Sequence, residues 1–186
     1  MEQLNFKKLI LKTAFSCMAC DGDIDKAELA LIQKTEEKEQ LFGISDFSNQ
    51  INLLFNEINN SGKDFLRDYL KELENNDFST EQLLKIIEVS IKMIKADKIE
   101  KYSEFKFFKI LRGKLNISDE EIIKKLGDQF DNLESDYLSQ DIISSKYLDI
   151  LQEDYFSSIV IPVFELLESN DVDFVNKKDD GNKPKL

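Results

Sequence analysis

Three observations predict an all-α fold. Glycine and proline are scarce, 6 and 2 of 186 residues, so long stretches run without a helix breaker. Apolar residues recur at helical spacing through most of those stretches. Helix-start signatures stand where the runs begin, since Ser79 with Gln82 and Ser118 with Glu121 have the spacing of a capping box.

The first helix is expected over Leu4 to Cys20, where Leu4, Phe6, Leu9, Ile10, Leu11, Phe15 and Met18 cover much of the circumference. An acidic turn, Asp21 to Asp25, leads to a second helix over Lys26 to Phe42. Gly43-Ile44-Ser45-Asp46 then opens a third over Phe47 to Asn59. Lys63 to Glu74 is a linking helix with the apolar stripe Phe65, Leu66, Tyr69, Leu70 and Leu73. The plan then repeats: an apolar helix Glu81 to Ala96, a turn Asp97 to Lys101, a helix Tyr102 to Leu115, and Asn116-Ile117-Ser118-Asp119 opening Glu120 to Leu126. The shared Ile-Ser-Asp, 73 residues apart, is the strongest mark of this pseudo-repeat. Helices apolar on several sides are buried on several sides, so the first helix of each half should form the centre of one domain spanning 1–127. Phe130, Leu133, Tyr137, Leu138 and the run Tyr155 to Leu167 suggest a C-terminal helical extension, 128–169, packed on it, with Pro162 starting or kinking a helix. Residues 170–186 have little to bury and read as a flexible tail.

Composition excludes several classes of function. No apolar run is long enough to span a membrane, and the N-terminus lacks the order of a signal peptide, so a cytoplasmic location is expected. The net charge of −12 disfavours direct nucleic-acid binding. Twelve acids and one lysine lie between Asp128 and Asp173. Some should face the lysines at 92, 95, 98, 101, 106 and 109, and the rest should steer a basic protein partner. With no histidine, no glycine-rich phosphate loop and no nucleophile elbow, the chain is not expected to be an enzyme. Cys17 and Cys20 form a C-x-x-C, yet they lie in an apolar run without a second cysteine pair, which favours small core residues over a zinc or redox site.

The segment Asp21-Gly22-Asp23-Ile24-Asp25-Lys26-Ala27-Glu28 has the spacing of the second half of an EF-hand loop. Cys17 and Ala19 would fall at positions 1 and 3 of that loop and supply no hard oxygen ligand. Two readings follow. In one, the acids cap the next helix and favour its positive end while Gly22 makes the turn. In the other, Asp21, Asp23, Asp25 and Glu28, with Asp97, Glu100 and Glu104 of the second turn, form an oxygen-rich site for a divalent cation, calcium or magnesium.

Ala19 to Glu28, followed by an aliphatic helix and Leu41-Phe42-Gly43-Ile44-Ser45, resembles the signature of TerB-like tellurite-resistance domains. It is also similar to the N-terminal domain of DjlA-type co-chaperones. Lys95 to Glu104, followed by Phe105 to Leu115 and Asn116-Ile117-Ser118, resembles that family's second copy. The second copy departs from the pattern: Lys98 stands where the family has glycine, Ile99 follows Asp97 by two residues instead of three, and Glu104 follows Ile99 by five instead of four. The resemblance implies an all-helical pseudo-repeat with its two acidic turns near each other. It also implies a role in bacterial stress response, tellurite resistance or phage defence. The expected function is a non-enzymatic interaction or regulatory module acting by protein partner binding. The alternatives are a divalent-cation sensor built on the acidic turns and an acidic nucleic-acid mimic.

Overall fold

The computed structural model describes residues 2–96, 101–127 and 145–168. Among the described residues there are eight helices and no strand: α1 Glu2–Ala19, α2 Lys26–Glu39, α3 Phe47–Ser61, α4 Lys63–Asn75, α5 Thr80–Ile94, α6 Tyr102–Lys114, α7 Asp119–Leu126 and α8 Ser145–Ser158. The all-α expectation holds. Both anticipated capping boxes form, with Ser79 N–H donating to Gln82 Oε1 at 2.9 Å and Gln82 N–H to Ser79 Oγ at 3.3 Å. The matching pair at Ser118 and Glu121 lies at 3.3 and 3.2 Å.

The most extensive helix pairing is α1 with α5, and each of these also meets two further helices of the bundle. Ala14, Phe15, Met18, Ile86, Ile87 and Ile91 are buried to 2% exposure or less, as helices apolar on several sides require. Phe15 meets Phe55 and Phe65 edge-on, with centroids at 5.3 and 5.7 Å. Full burial of such side chains contributes roughly 1.5–3 kcal/mol each, so the α1–α5 seam with its aromatic flank dominates the core. The α4 stripe Phe65, Leu66, Tyr69, Leu70 and Leu73 is buried as the pattern predicts.

The two halves also share a device that the repeat pattern does not reveal. Glu36, eleven residues after the α2 cap Asp25, accepts from Phe42 N–H at 2.6 Å and Ile44 N–H at 2.7 Å. Arg112, eleven residues after the α6 cap Lys101, donates to the Leu115 carbonyl at 3.2 Å and the Ile117 carbonyl at 2.6 Å, and to Asp119 at 2.8 Å. Each loop into the third helix is thus stapled by a charged side chain from the second helix, an acid grasping donors in one half and a base grasping acceptors in the other. Caps differ in the same way, because Asp46 caps α3 whereas Ser118, one place earlier in the shared tripeptide, caps α7.

Two boundaries differ from expectation by more than two residues. The second helix ends at Glu39 rather than Phe42, because Gln40 takes the left-handed conformation with φ 48° and its carbonyl accepts from Lys7. The run Tyr155 to Leu167 is not one helix. α8 stops at Ser158, and residues 159–168 form an irregular arm. Pro162 has no N–H to continue a helix and pushes Ile161 away from the helical region, while Ile159, Val160, Ile161 and Val163 are β-branched. α8 itself packs on α6, where Gly113 lets Leu148 sit at a place any Cβ would occupy. Leu151, Tyr155, Phe156 and Ile159 join the same buried cluster as α1 and α5. The expected helical positions Phe130, Leu133, Tyr137 and Leu138, and the tail from residue 170, lie outside the described residues.

Candidate functional site

The acidic turn between α1 and α2 is built from local hydrogen bonds. Asp25, in extended conformation at φ −80° and ψ 149°, caps α2 by accepting from Ala27 N–H at 2.6 Å. Glu28 turns back to accept from Asp25 N–H at 2.8 Å, which closes the box and accounts for a carboxylate at 4% exposure. Glu104 does the same for α6, accepting from Lys101 N–H at 2.6 Å while 3% exposed. Glu28 and Glu104 therefore occupy equivalent places in the two halves despite the shift in the second copy's spacing.

Asp21 and Asp23 face a different partner. Asp21, with its side chain only 6% exposed, accepts from Asp23 N–H at 2.8 Å and forms a tight ion pair with Lys101. The same ammonium lies 3.6 Å from Asp23 Oδ2. The hydrogen bond to Asp21 holds the Lys101 pKa above its ordinary value, because the charged form is the one the acids stabilise. The second half of the pseudo-repeat thus places a lysine ammonium against the acids of the first. Gly22, at φ +86°, meets the C-terminal arm here, and a Cβ at this position would overlap the Val160 carbonyl oxygen. Tyr155 Oη donates to the Cys20 carbonyl at 2.5 Å, tying α8 to the end of α1. An open pocket of about 500 Å³ beside the turn is lined by Asp21, Tyr102, Lys106, Tyr155 and Val160.

Of the seven candidate ligands, Asp21 and Asp23 converge on Lys101, Asp25 and Glu28 are engaged with backbone amides of the α2 cap, and Glu104 with that of α6. Asp97 and Glu100 lie outside the described residues. Among the described residues no group of three or more acids, cysteines or histidines is placed to hold a metal ion. The oxygens of the five described acids are directed at backbone N–H groups and at the Lys101 ammonium.

Cys17 and Cys20 are buried, free thiols. Burial pushes the Cys17 pKa up to about 12 and raises that of Cys20 as well, so neither is a ready thiolate. The Cys20 thiol lies 3.0 Å from the Cys17 carbonyl within the same helix turn. Of the lysines expected to face the acidic C-terminal region, Lys106 pairs with Asp154 at 2.5 Å, whereas Lys92 pairs with Glu39 at 3.3 Å.

One set of residues escaped the reading of the sequence. Asn59 on α3 donates to the Phe164 carbonyl and accepts from Phe164 N–H, both at 2.8 Å. Asn52, two turns earlier, does the same for Leu167 at 3.0 and 2.7 Å. Five asparagines in a helix of fifteen residues were a usable signal, because asparagine is a weak helix former whose presence there asks for another reason. No helix among the described residues is long and apolar enough to cross a membrane. No protein-family model, no curated protein and no solved structure matches the chain.

Proposed function

We propose that the chain is a non-enzymatic protein-binding module, serving the bacterial stress-response or defence role that its resemblance to TerB-like domains implies. The observation that carries this reading is an apolar ridge on the arm. Val160, Val163 and Leu166 stand 77%, 80% and 46% exposed on the arm. Aliphatic residues presented together on a surface favour a partner that covers them. Asp149, Glu153 and Glu165 are exposed nearby in sequence, which favours a partner of basic character and a rate of capture that falls with salt.

The acids of the turn support the same choice over a cation sensor, since Lys101 already supplies positive charge to Asp21 and Asp23. The test is capture of cellular proteins on immobilised full-length chain and on a Val163→Asp variant. At 80% exposure this substitution should leave thermal unfolding unchanged while removing the captured proteins. An identical captured set on both would refute the ridge as the docking surface.

A further inference from the structure

The opposite face of the same arm carries a separate inference, independent of the outer ridge. Across residues 160–168 no side chain is fully buried, and the half-buried ones are Ile161, Phe164 and Leu167, every third residue. A strand would alternate with period two, whereas period three belongs to an extended polyproline-type backbone with about 3.1 Å of rise per residue. Three such residues advance about 9 Å. Asn52 and Asn59 are seven residues apart on an α-helix, about 10.5 Å along its axis. Two helical turns of α3 therefore match one turn of the arm, which runs antiparallel to it. Between the two asparagines, Phe55 meets the Phe164 ring at 5.8 Å.

Each asparagine binds both the N–H and the carbonyl of one residue. Such a clamp engages both backbone hydrogen-bonding groups of one position and none of its side chain, so it recognises chain conformation and register rather than sequence. Side-chain selectivity comes only from the apolar contacts at every third position. Beyond Ile159, buried in the core cluster, and Val160, whose carbonyl meets Gly22, the arm is held by these clamps and three half-buried side chains, the character of a segment that opens locally.

We propose that the α3 face formed by Asn52, Phe55 and Asn59 is a peptide-binding groove. Its occupant in trans is an extended segment of a partner protein with an aliphatic or aromatic side chain at every third residue. Residues 159–168 are the tethered competitor that fills the groove in the free chain and display the pattern the groove accepts. Because the tether raises the effective concentration of the resident segment, a free peptide competes poorly until the arm is weakened.

The test uses the full-length chain and a fluorescent synthetic peptide of residues 159–168. A Phe164→Ser, Leu167→Ser variant should bind the peptide about tenfold or more tighter than the unsubstituted chain. Adding Asn52→Ala and Asn59→Ala should abolish that binding, and so should N-methylation of the peptide at its Phe164 and Leu167 amides. Equal, weak binding by the arm-weakened variant and the unsubstituted chain would overturn the proposal, as would undiminished binding of the methylated peptide. A dimer assembling through the same segment in place of peptide binding would assign the groove to a second copy and overturn it too. If the arm-weakened variant does not fold, amide exchange on the unsubstituted chain decides. Exchange at Phe164 and Leu167 about a hundredfold or more faster than in the buried helices supports a displaceable arm, and a common rate overturns it.

Discussion

Replacing Arg112 by methionine tests how much of the fold depends on one buried charge. The side chain is 1% exposed and its guanidinium reaches two carbonyls and the Asp119 carboxylate at 2.6–3.2 Å. Methionine keeps most of the aliphatic volume, so little of the loss comes from a cavity. The loss comes from acceptors. Leu115 and Ile117 lie at 1% and 5% exposure, and each carbonyl deprived of its donor costs about 1–3 kcal/mol. Asp119, 20% exposed at its side chain, is partly rescued by water and adds less. The sum is about 3–5 kcal/mol, the usual cost of removing one partner of a buried pair. That is a large fraction of the roughly 5–15 kcal/mol by which a domain is stable. Urea unfolding followed by circular dichroism should show the midpoint falling by roughly 1–3 M with little change of slope. Arg112→Lys should recover only part of this, because one ammonium on a flexible stem cannot serve the forked set of acceptors. A loss below about 0.5 kcal/mol for the methionine variant, or full stability of the lysine variant, would refute the assignment of Arg112 as the staple of the α6–α7 loop.

Two further outcomes follow from the buried thiols and phenols and from the lysine in the acidic turn. Burial raises the pKa of Cys17, Cys20, Tyr69 and Tyr155 above their ordinary values of 9.0 and 10.0. The folded chain then holds protons that the unfolded chain releases, so this contribution is fully present below pH 9 and is lost as pH rises. The expected slope is about 1.4 kcal/mol per pH unit for each group titrating in the unfolded state. Urea midpoints between pH 8 and 10.5 should therefore fall steeply, and Cys17→Ala with Cys20→Ala should flatten the part that begins near pH 9; a stability independent of pH over this range would contradict the burial of these groups. Separately, millimolar calcium or magnesium should leave the melting temperature of the unsubstituted chain unchanged, while Lys101→Met should lower stability by about 1 kcal/mol through loss of the Asp21 pair. A rise of several degrees with either cation would mean that the acids, rather than the lysine, define the turn.

Helices, caps and the central pair were legible in the amino-acid order because they depend on neighbours within four residues. Ser79 with Gln82, Ser118 with Glu121 and the all-round apolar surfaces of α1 and α5 are of this kind. The burial of Cys17 and Cys20 was legible for the same reason, since they lie inside an apolar helix without partner ligands. Where α8 stops was only partly legible: Pro162 announces a break, but it does not say whether the chain resumes as helix or stays extended.

The partners of the acidic turn and of the arm were decided by contacts between residues far apart in the chain. Asp25 and Glu28 have the same sequence pattern whether they ligate a cation or cap a helix, and in the structure both engage amides at the start of α2, their immediate neighbours. Asp21 was free of that duty, and only the packing of the two halves brought Lys101, 80 residues away, to it. Asn52 and Asn59 take their partners from the arm, more than 100 residues further on, which lies along α3. Local pattern therefore determined the helices, because helix hydrogen bonds and caps close within one or two turns. The tertiary structure alone decided the turn's counter-ion and the arm's clamp, because a carboxylate or an amide carries no mark of which distant group will satisfy it.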